Sequence, residues 1–221
     1  MARRRVRNRA APRASGASFR RRPGERPVKK LALIVCEGEK TEPNYFRALR
    51  EHFHINTAAV RIPPNPRGSA PISVVDFAAK IYQEDGGYDR VYCVFDKDEH
   101  ESYERAMQRV RGYALRKLDS IPMQAMTSVP CFEFWLLLHF TRTTRPMGRC
   151  DKVIAQLRRY LQAYVKGGGN IVDELLPHID DAISNGRWVS AQQAAAGTDN
   201  PSTNVHELVE ALKTMAIVET A

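Results

Sequence analysis

The sequence predicts an α/β fold in which a parallel sheet of about four strands is flanked by helices and followed by a helical C-terminal extension. Between Leu31 and Phe140, short apolar runs of strand length alternate four times with helical patterns, and no strand pattern follows. Such alternation is typical of a parallel sheet covered by helices. With 43% hydrophobic and 27% charged residues, the chain has the composition of a globular protein, which excludes a fibrous or fully disordered one.

The two strongest strands are the continuous apolar runs "LALIVC" (31–36) and "RVYCVF" (90–95). Runs without polar alternation suit strands that are buried on both faces. Weaker strands are predicted at 58–62 and 123–128. We expect the common doubly wound order 2-1-3-4, in which the first and third strands are neighbours.

Helical spacing of apolar residues predicts a helix after each of these strands and helices throughout the C-terminal third. The predicted helices cover 43–53, 72–85, 102–118, a segment within 129–140, 150–165, roughly 171–195, and 204–217. Ser202 or Thr203 is expected to cap the last helix. The run "KGGGN" (166–170) is expected to end a helix and turn the chain.

The positive charge of the chain is concentrated at its N-terminus. Residues 1–30 hold ten Arg and two Lys against one Glu, a charge of +11, so the remaining residues carry 9 − 11 = −2. We therefore predict a disordered basic arm over 1–29, a core over 30–140, and a helical extension packed on that core over 141–221. The arm either binds nucleic-acid phosphates without sequence preference or serves as a solubilising tail.

Cysteine spacing and hydropathy bear on the cellular compartment. No two of the four cysteines form a C-x-x-C pair, which argues against a zinc ribbon, and three lie in or beside apolar runs, which predicts buried reduced thiols. No apolar run in the chain, "FWLLL" (134–138) included, approaches the roughly 20 residues of a membrane span. The N-terminus lacks the apolar segment of a secretory signal. We expect a cytoplasmic protein without a membrane segment.

Acidic residues occur where the predicted strands end. Glu37 follows the first strand, Asp96 and Asp98 follow the third, and Glu133 lies five residues past the fourth. Ligands of open parallel sheets bind outside the carboxyl ends of the strands. Carboxylates gathered there repel one another unless a cation joins them, and their hard oxygens suit Mg²⁺. We predict that Glu37, Asp96 and Asp98 hold Mg²⁺ or Mn²⁺ and that Glu133 belongs to the same catalytic group.

Four segments together resemble the RloB family, which is found near restriction and phage-defence loci: "LIVCEGEKTEPNYF", "VFDKDEH", "PCFEFWLLLHF" and "NPSTNVHELV". The Glu followed later by Asp-x-Asp resembles the Toprim domain of topoisomerases, primases and overcoming-lysogenization-type nucleases. The resemblance covers roughly 31–212 and implies a Toprim-like fold. It also implies metal-dependent cleavage of DNA or RNA and an ATPase partner encoded nearby. By this resemblance, Glu37 would act as acid or base, and Asp96 and Asp98 would hold the metal. The resemblance leaves the role of Glu133 open.

Other polar residues have both functional and structural interpretations. Lys40, His100 and Lys166 are candidate phosphate contacts, with ordinary solvated surface as the alternative. Glu39 and Glu42 are interpreted as acids that the helix dipole favours in a first turn.

Other enzyme classes share parts of this pattern. An apolar strand ending in Asp-x-Asp also occurs in haloacid-dehalogenase-type phosphatases and in some metal-dependent glycosyltransferases, but His100 stands where those phosphatases have Thr or Val. No G-x-x-x-x-G-K-[ST] motif is present, which excludes a P-loop. His139 lies in an apolar stretch and is predicted to be a core histidine. Together with the family resemblance, the acidic residues favour a nuclease of a phage-defence system, with a non-catalytic adaptor subunit or a metal-dependent small-molecule phosphatase as alternatives.

Overall fold

The computed structural model describes residues 32–66, 68, 70–97, 101–115, 121–168 and 171–219, with side chains up to residue 216. The predicted arm (1–29), Asp98 and His100 lie outside the described residues.

The structure is an α/β protein built on one five-stranded sheet in the order β2-β1-β3-β4-β5. The first four strands are parallel, which confirms the predicted fold class and the predicted order of these strands. The strands are β1 (Ala32–Cys36), β2 (Val60–Arg61), β3 (Arg90–Asp96), β4 (Met123–Val129) and β5 (Ser202–Thr203).

The fifth strand was not predicted, because the C-terminal third was expected to be helical. Ser202 and Thr203 pair antiparallel with Val129 and Ser128 at the end of β4. The neighbouring Asn204 extends this contact through its side-chain amide, which accepts the Thr127 N–H and donates to the Ala125 carbonyl. Two polar residues carry no strand periodicity, so only the partner strand reveals β5.

Eight α-helices and one 3₁₀ turn surround the sheet in the described part of the chain. They are α1 (Thr41–His52), α2 (Pro71–Asp85), α3 (Tyr103–Ala114), α4 (Glu133–Leu137), α5 (Cys150–Leu157), α6 (Val172–Leu175), the 3₁₀ turn (Leu176–His178), α7 (Ile179–Ala196) and α8 (Val205–Glu219). Two predicted helices differ from the observed ones. The helix predicted for 150–165 ends earlier, at Leu157. The helix predicted for 171–195 is interrupted by a 3₁₀ turn at Pro177, which has no N–H to donate. None of the described helices is long and apolar enough to cross a membrane.

The core lies on both faces of the sheet, as the unbroken apolar strands predict. In β1, Ala32 and Ile34 face a cluster formed with α1 and the C-terminal helices, whereas Leu33 and Val35 face a second cluster formed with α2 and α3. Every residue of β1 is buried. Burial on both faces explains why this strand shows no polar alternation.

One expectation about the cysteines is wrong. Cys36 and Cys93 are buried free thiols as predicted, but Cys131 forms a disulfide with Cys150, with a Cα–Cα distance of 5.6 Å. The packing of α5 on α4 brings together these two cysteines, which are 19 positions apart. The local sequence around Cys131 and around Cys150 does not predict that contact.

Candidate active site at the carboxyl edge of the sheet

The ends of β1 and β3 place two predicted site residues side by side. The N–H of Glu37 donates to the Val94 carbonyl at 2.9 Å, which continues the β1–β3 pairing beyond Cys36. In return, the N–H of Asp96 donates to Oε2 of Glu37 at 2.9 Å. The structure therefore brings Glu37 and Asp96 to the same edge of the sheet.

The carboxylate of Asp96 lies at the centre of a crowded acidic group. Burial raises its pKa well above the ordinary value, and the negative charges of Glu42, Glu37 and Glu133 raise the pKa further. The N–H of Phe132 donates to this carboxylate and partly offsets the rise. Asp96 is thus held where its negative charge is poorly compensated by the protein itself.

Glu42 is a member of this group that its sequence context did not predict. Its side chain is only 8% exposed, and the Gly38 N–H donates to its carboxylate. Burial raises the pKa of Glu42, and the charge of Glu133 adds to this effect. A Cβ atom at Gly38 would overlap the Glu42 carboxylate, so the glycine makes room for the acid. A glycine four residues before an acid was the available signal, but it is a weak one.

Glu133 is more deeply buried than Glu42, with 1% of its surface exposed against 8% for Glu42. The Tyr164 hydroxyl donates to its Oε1 at 2.8 Å, and Lys166 Nζ lies 3.6 Å from its Oε2. Cys150 Sγ is 3.1 Å from the same Oε2. Both carboxylate oxygens are therefore positioned by side chains from distant parts of the chain. The sequence around Tyr164 does not predict its hydrogen bond to Glu133.

Lys166 supplies positive charge to the acidic group. Burial alone lowers the pKa of its ammonium group, but the carboxylates of Glu133, Asp96 and Glu42 raise it above its usual value. The glycine after it anchors the turn on α1, because the Gly167 N–H donates to Thr41 Oγ1 at 3.2 Å. The predicted turn at "KGGGN" therefore also carries Lys166 into the site.

Lys40, the remaining described candidate, lies beside the group. Its side chain is exposed and lines a cavity of about 270 Å³ together with Thr41, Tyr164 and Gly168. This cavity adjoins Glu133 through Tyr164, which contacts both.

We name Glu37, Glu42, Asp96 and Glu133 the acidic cluster. Its members are not packed as a preformed cage, since no three of them have ligand atoms within 4.8 Å of one another among the described residues. The donor atoms that the side chains of the cluster offer are all carboxylate oxygens, the type of ligand that Mg²⁺ prefers.

These features define an α/β protein with an acidic cluster at the carboxyl edge of a largely parallel sheet. The sequence of the chain matches the family model of RloB-like proteins over residues 32–212. The chain belongs to the RloB-like family. No curated protein and no solved structure matches it.

Proposed function

We propose that this protein is a Toprim-type nuclease that cleaves phosphodiester bonds of DNA or RNA with Mg²⁺ or Mn²⁺. The observation that carries the proposal is the convergence of the acidic cluster, whose members come from the end of β1, the start of α1, the end of β3 and the start of α4. Carboxylates brought together in this way repel one another, which raises the pKa of Asp96 and of Glu42, and a bound cation relieves that repulsion.

The donor chemistry supports a divalent cation held by Asp96 and Glu37, together with Asp98 two residues further along the chain. A cation bound there would polarise a phosphodiester and stabilise the charge that develops during its cleavage. Glu37 is positioned by the Asp96 N–H and is our candidate for moving a proton. Lys166 has an exposed side chain that can leave Glu133 to contact a substrate phosphate.

We base the proposed substrate and biological setting on the family resemblance and on the distribution of charge. The described body carries an acidic cluster, so affinity for nucleic acid has to come from elsewhere. The +11 charge of residues 1–30 is one source, and an ATPase partner encoded nearby is the other. We place this activity in phage defence by abortive infection, in the cytoplasm.

A second candidate function is that of a non-catalytic adaptor in the same system. The ion pair between Lys166 and Glu133 favours it, because this pair gives the acidic cluster an internal cation. An adaptor would retain the sheet and the acidic cluster as structural features and would not cleave nucleic acid.

The test is to incubate the full chain with plasmid, single-stranded DNA and tRNA, with Mg²⁺, Mn²⁺ or a chelator, and with or without the ATPase partner. We expect metal-dependent cleavage that falls on the order of 10²- to 10⁴-fold in Asp96→Asn and Glu37→Gln. Glu39→Gln is the matched control, because Glu39 lies on the same loop with its side chain exposed. Its rate should stay within about twofold of wild type, because acid–base catalysis needs a group within reach of the substrate.

The outcomes separate the candidates. Full activity in the Asp96→Asn, Glu37→Gln double variant would contradict the nuclease assignment to this site. An inactive wild type on every nucleic acid, even with the partner, would support the adaptor. Release of phosphate from small phosphomonoesters without cleavage of nucleic acid would instead indicate a phosphatase.

A further inference from the structure

A second ligand-bearing group adjoins the acidic cluster at the turn before α4. The ligand atoms of Cys131, Glu133 and Cys150 all lie within 4.8 Å of one another, and this is the one such group of three among the described residues. Cys131 and Glu133 are 2% and 1% exposed, and Cys150 is half-buried. The cleavage reaction proposed above does not involve either sulfur atom.

The sulfurs are bonded to each other in the structure, and a disulfide offers no thiolate to a metal ion. A protein or small-molecule dithiol can reduce this bond. Two electrons and two protons pass to the sulfurs, the Cys131–Cys150 bond breaks to give two thiols, and the dithiol becomes a disulfide. Two thiolates on one tetrahedral Zn²⁺ lie about 3.8 Å apart, since each Zn–S bond is about 2.3 Å. The 5.6 Å between the two Cα atoms allows that separation through a small rotation of either side chain.

We propose that the reduced protein binds Zn²⁺ through Cys131, Cys150 and Glu133, and that disulfide formation releases the ion. Thiolate sulfur and carboxylate oxygen are both established zinc donors. Binding displaces the two thiol protons into solvent. Disulfide formation needs a two-electron oxidant, such as another disulfide or a peroxide, and consumes both sulfur ligands.

Three protein ligands leave one position on a tetrahedral ion for water. The surroundings provide a route for both the ion and that water, because Cys150 lines a cavity of about 360 Å³ between β4 and α5. The Zn²⁺ site would therefore be open on one side.

The neighbours of Glu133 orient it towards the sulfurs. The Tyr164 hydroxyl holds Oε1 at 2.8 Å, which leaves Oε2 facing Cys150 Sγ at 3.1 Å. A hydrogen bond to a ligating group from outside the metal site typically strengthens binding. Lys166 Nζ lies 3.6 Å from Oε2 and 3.9 Å from Cys150 Sγ, so it occupies the side that an ion would need. Since 58% of its side chain is exposed, Lys166 can move away, and it competes with Zn²⁺ rather than blocking it.

Glu133 belongs to this group and to the acidic cluster. The two thiolates balance the charge of Zn²⁺, so binding would change the partner of Glu133, from Lys166 to the ion, rather than the net charge beside Asp96. Thiol redox state would then change how Glu133 is held within the cluster. Any effect of that change on cleavage rests on the proposed function, but the existence of the zinc site does not.

The test uses the untagged full chain, reduced with a phosphine and titrated with Co²⁺ as a coloured substitute for Zn²⁺. We expect one equivalent of Co²⁺ with thiolate-to-cobalt charge-transfer absorbance that Zn²⁺ abolishes, and none in the oxidised protein. Glu133→Gln should raise the Kd about tenfold or more, and Lys166→Gln should lower it. The Cys131→Ser, Cys150→Ser double variant should lose the absorbance. Cys93→Ala is the matched control, since Cys93 is a buried cysteine on the opposite face of the sheet.

Absence of thiolate absorbance in the reduced wild type, or its persistence in the double variant, would overturn the proposal. If the double variant does not fold, alkylation of the wild type decides the matter. Zn²⁺ should protect Cys131 and Cys150 of the reduced protein from iodoacetamide, and equal labelling with and without Zn²⁺ would refute the site. Either result leaves the nuclease assay with Mg²⁺ unaffected, so failure of one proposal is distinguishable from failure of the other.

Discussion

The backbone N–H of Asp96 donates to the carboxylate of Glu37 at 2.9 Å, although the two residues are 59 positions apart in the chain. The bond exists because β1 and β3 are neighbours in the sheet and Cys36, the last residue of β1, pairs with Val94, so that Glu37 lies beside the last residues of β3. It fixes the Glu37 side chain at the edge where Asp96 emerges. The first and third strands thus act together to build the site.

Gly38→Ala should displace Glu42 from the acidic cluster. An added Cβ atom would overlap the Glu42 carboxylate, which must then swing away and lose the hydrogen bond from the Gly38 N–H. We expect the Kd for Mg²⁺, measured by calorimetry, to rise about tenfold, or 1.4 kcal/mol. Gly148→Ala is the control, because a Cβ atom there meets nothing within 4 Å. Combining Gly38→Ala with Glu42→Gln should add little further loss, and full additivity would refute this explanation.

Asp96→Asn should stabilise the metal-free protein. Burial and the neighbouring acids raise the pKa of Asp96, so its ionisation opposes folding. The protonated form provides stability that is fully present below the ordinary carboxyl pKa, near pH 4, and is lost as pH rises through the raised value. The variant and wild type should therefore melt at similar temperatures near pH 4. At pH 8 the variant should melt a few degrees higher, since about 1 kcal/mol corresponds to roughly 2–4 °C for a chain of this size.

The Asn side chain can still accept the Phe132 N–H, so the change removes charge while keeping that hydrogen bond. Mg²⁺ should raise the melting temperature of wild type but not of Asp96→Asn. Asp151→Asn, at an exposed aspartate, is the control and should change neither. A variant that melts below wild type at pH 8 without metal would argue against charge crowding.

His139 should make stability fall in mildly acidic solution. Burial lowers its pKa to about 4, with its Nδ1–H donating to the Trp135 carbonyl and Nε2 accepting the Tyr45 hydroxyl. The unfolded chain binds a proton near pH 6.5, so stability is lost as pH falls from 6.5 towards 4, by roughly 3 kcal/mol. In urea unfolding between pH 4.5 and 7, His139→Gln should flatten this dependence.

His178→Gln is the control for His139, because 44% of the His178 side chain is exposed, whereas His139 is buried. Its pH dependence should match that of wild type. An unchanged slope in His139→Gln would show that other groups cause the acid sensitivity.

Deleting residues 1–29 should leave the melting temperature unchanged and weaken nucleic-acid binding. The deleted segment carries most of the +11 charge of residues 1–30, against −2 for the rest of the chain. The slope of log affinity against log salt should fall by about one for each phosphate that the arm neutralises in the full chain. Equal affinity of the truncated and full chains at low salt would show that the arm is a solubilising tail. Unfolding of the truncated chain would show that the folded part begins earlier.

The sheet was predictable because its signal is local. β1 and β3 are continuous apolar runs, and each is followed or ended by an acid, so their order and the meeting of Glu37 with Asp96 follow from general rules of parallel sheets. β5 was missed because two polar residues have no periodicity of their own. Glu42 does lie in the first turn of α1, as its sequence context indicates, but its place in the acidic cluster was missed because only the tertiary structure brings its carboxylate near Asp96 and Glu133.

The sequence alone determined the fold class, the family resemblance and the edge at which the acids gather. These three features depend on apolar runs and on the residues that directly follow them, and such local patterns are visible in the sequence itself. Only the tertiary structure decided the contacts of Glu133 with Tyr164, Lys166 and Cys150, and the pairing of Cys150 with Cys131. The contacts of Glu133 with Cys150 Sγ and with the Tyr164 hydroxyl join residues 17 and 31 positions apart. Helix packing and turns bring these residues together, and the spacing of residues along the chain does not specify where such turns lead.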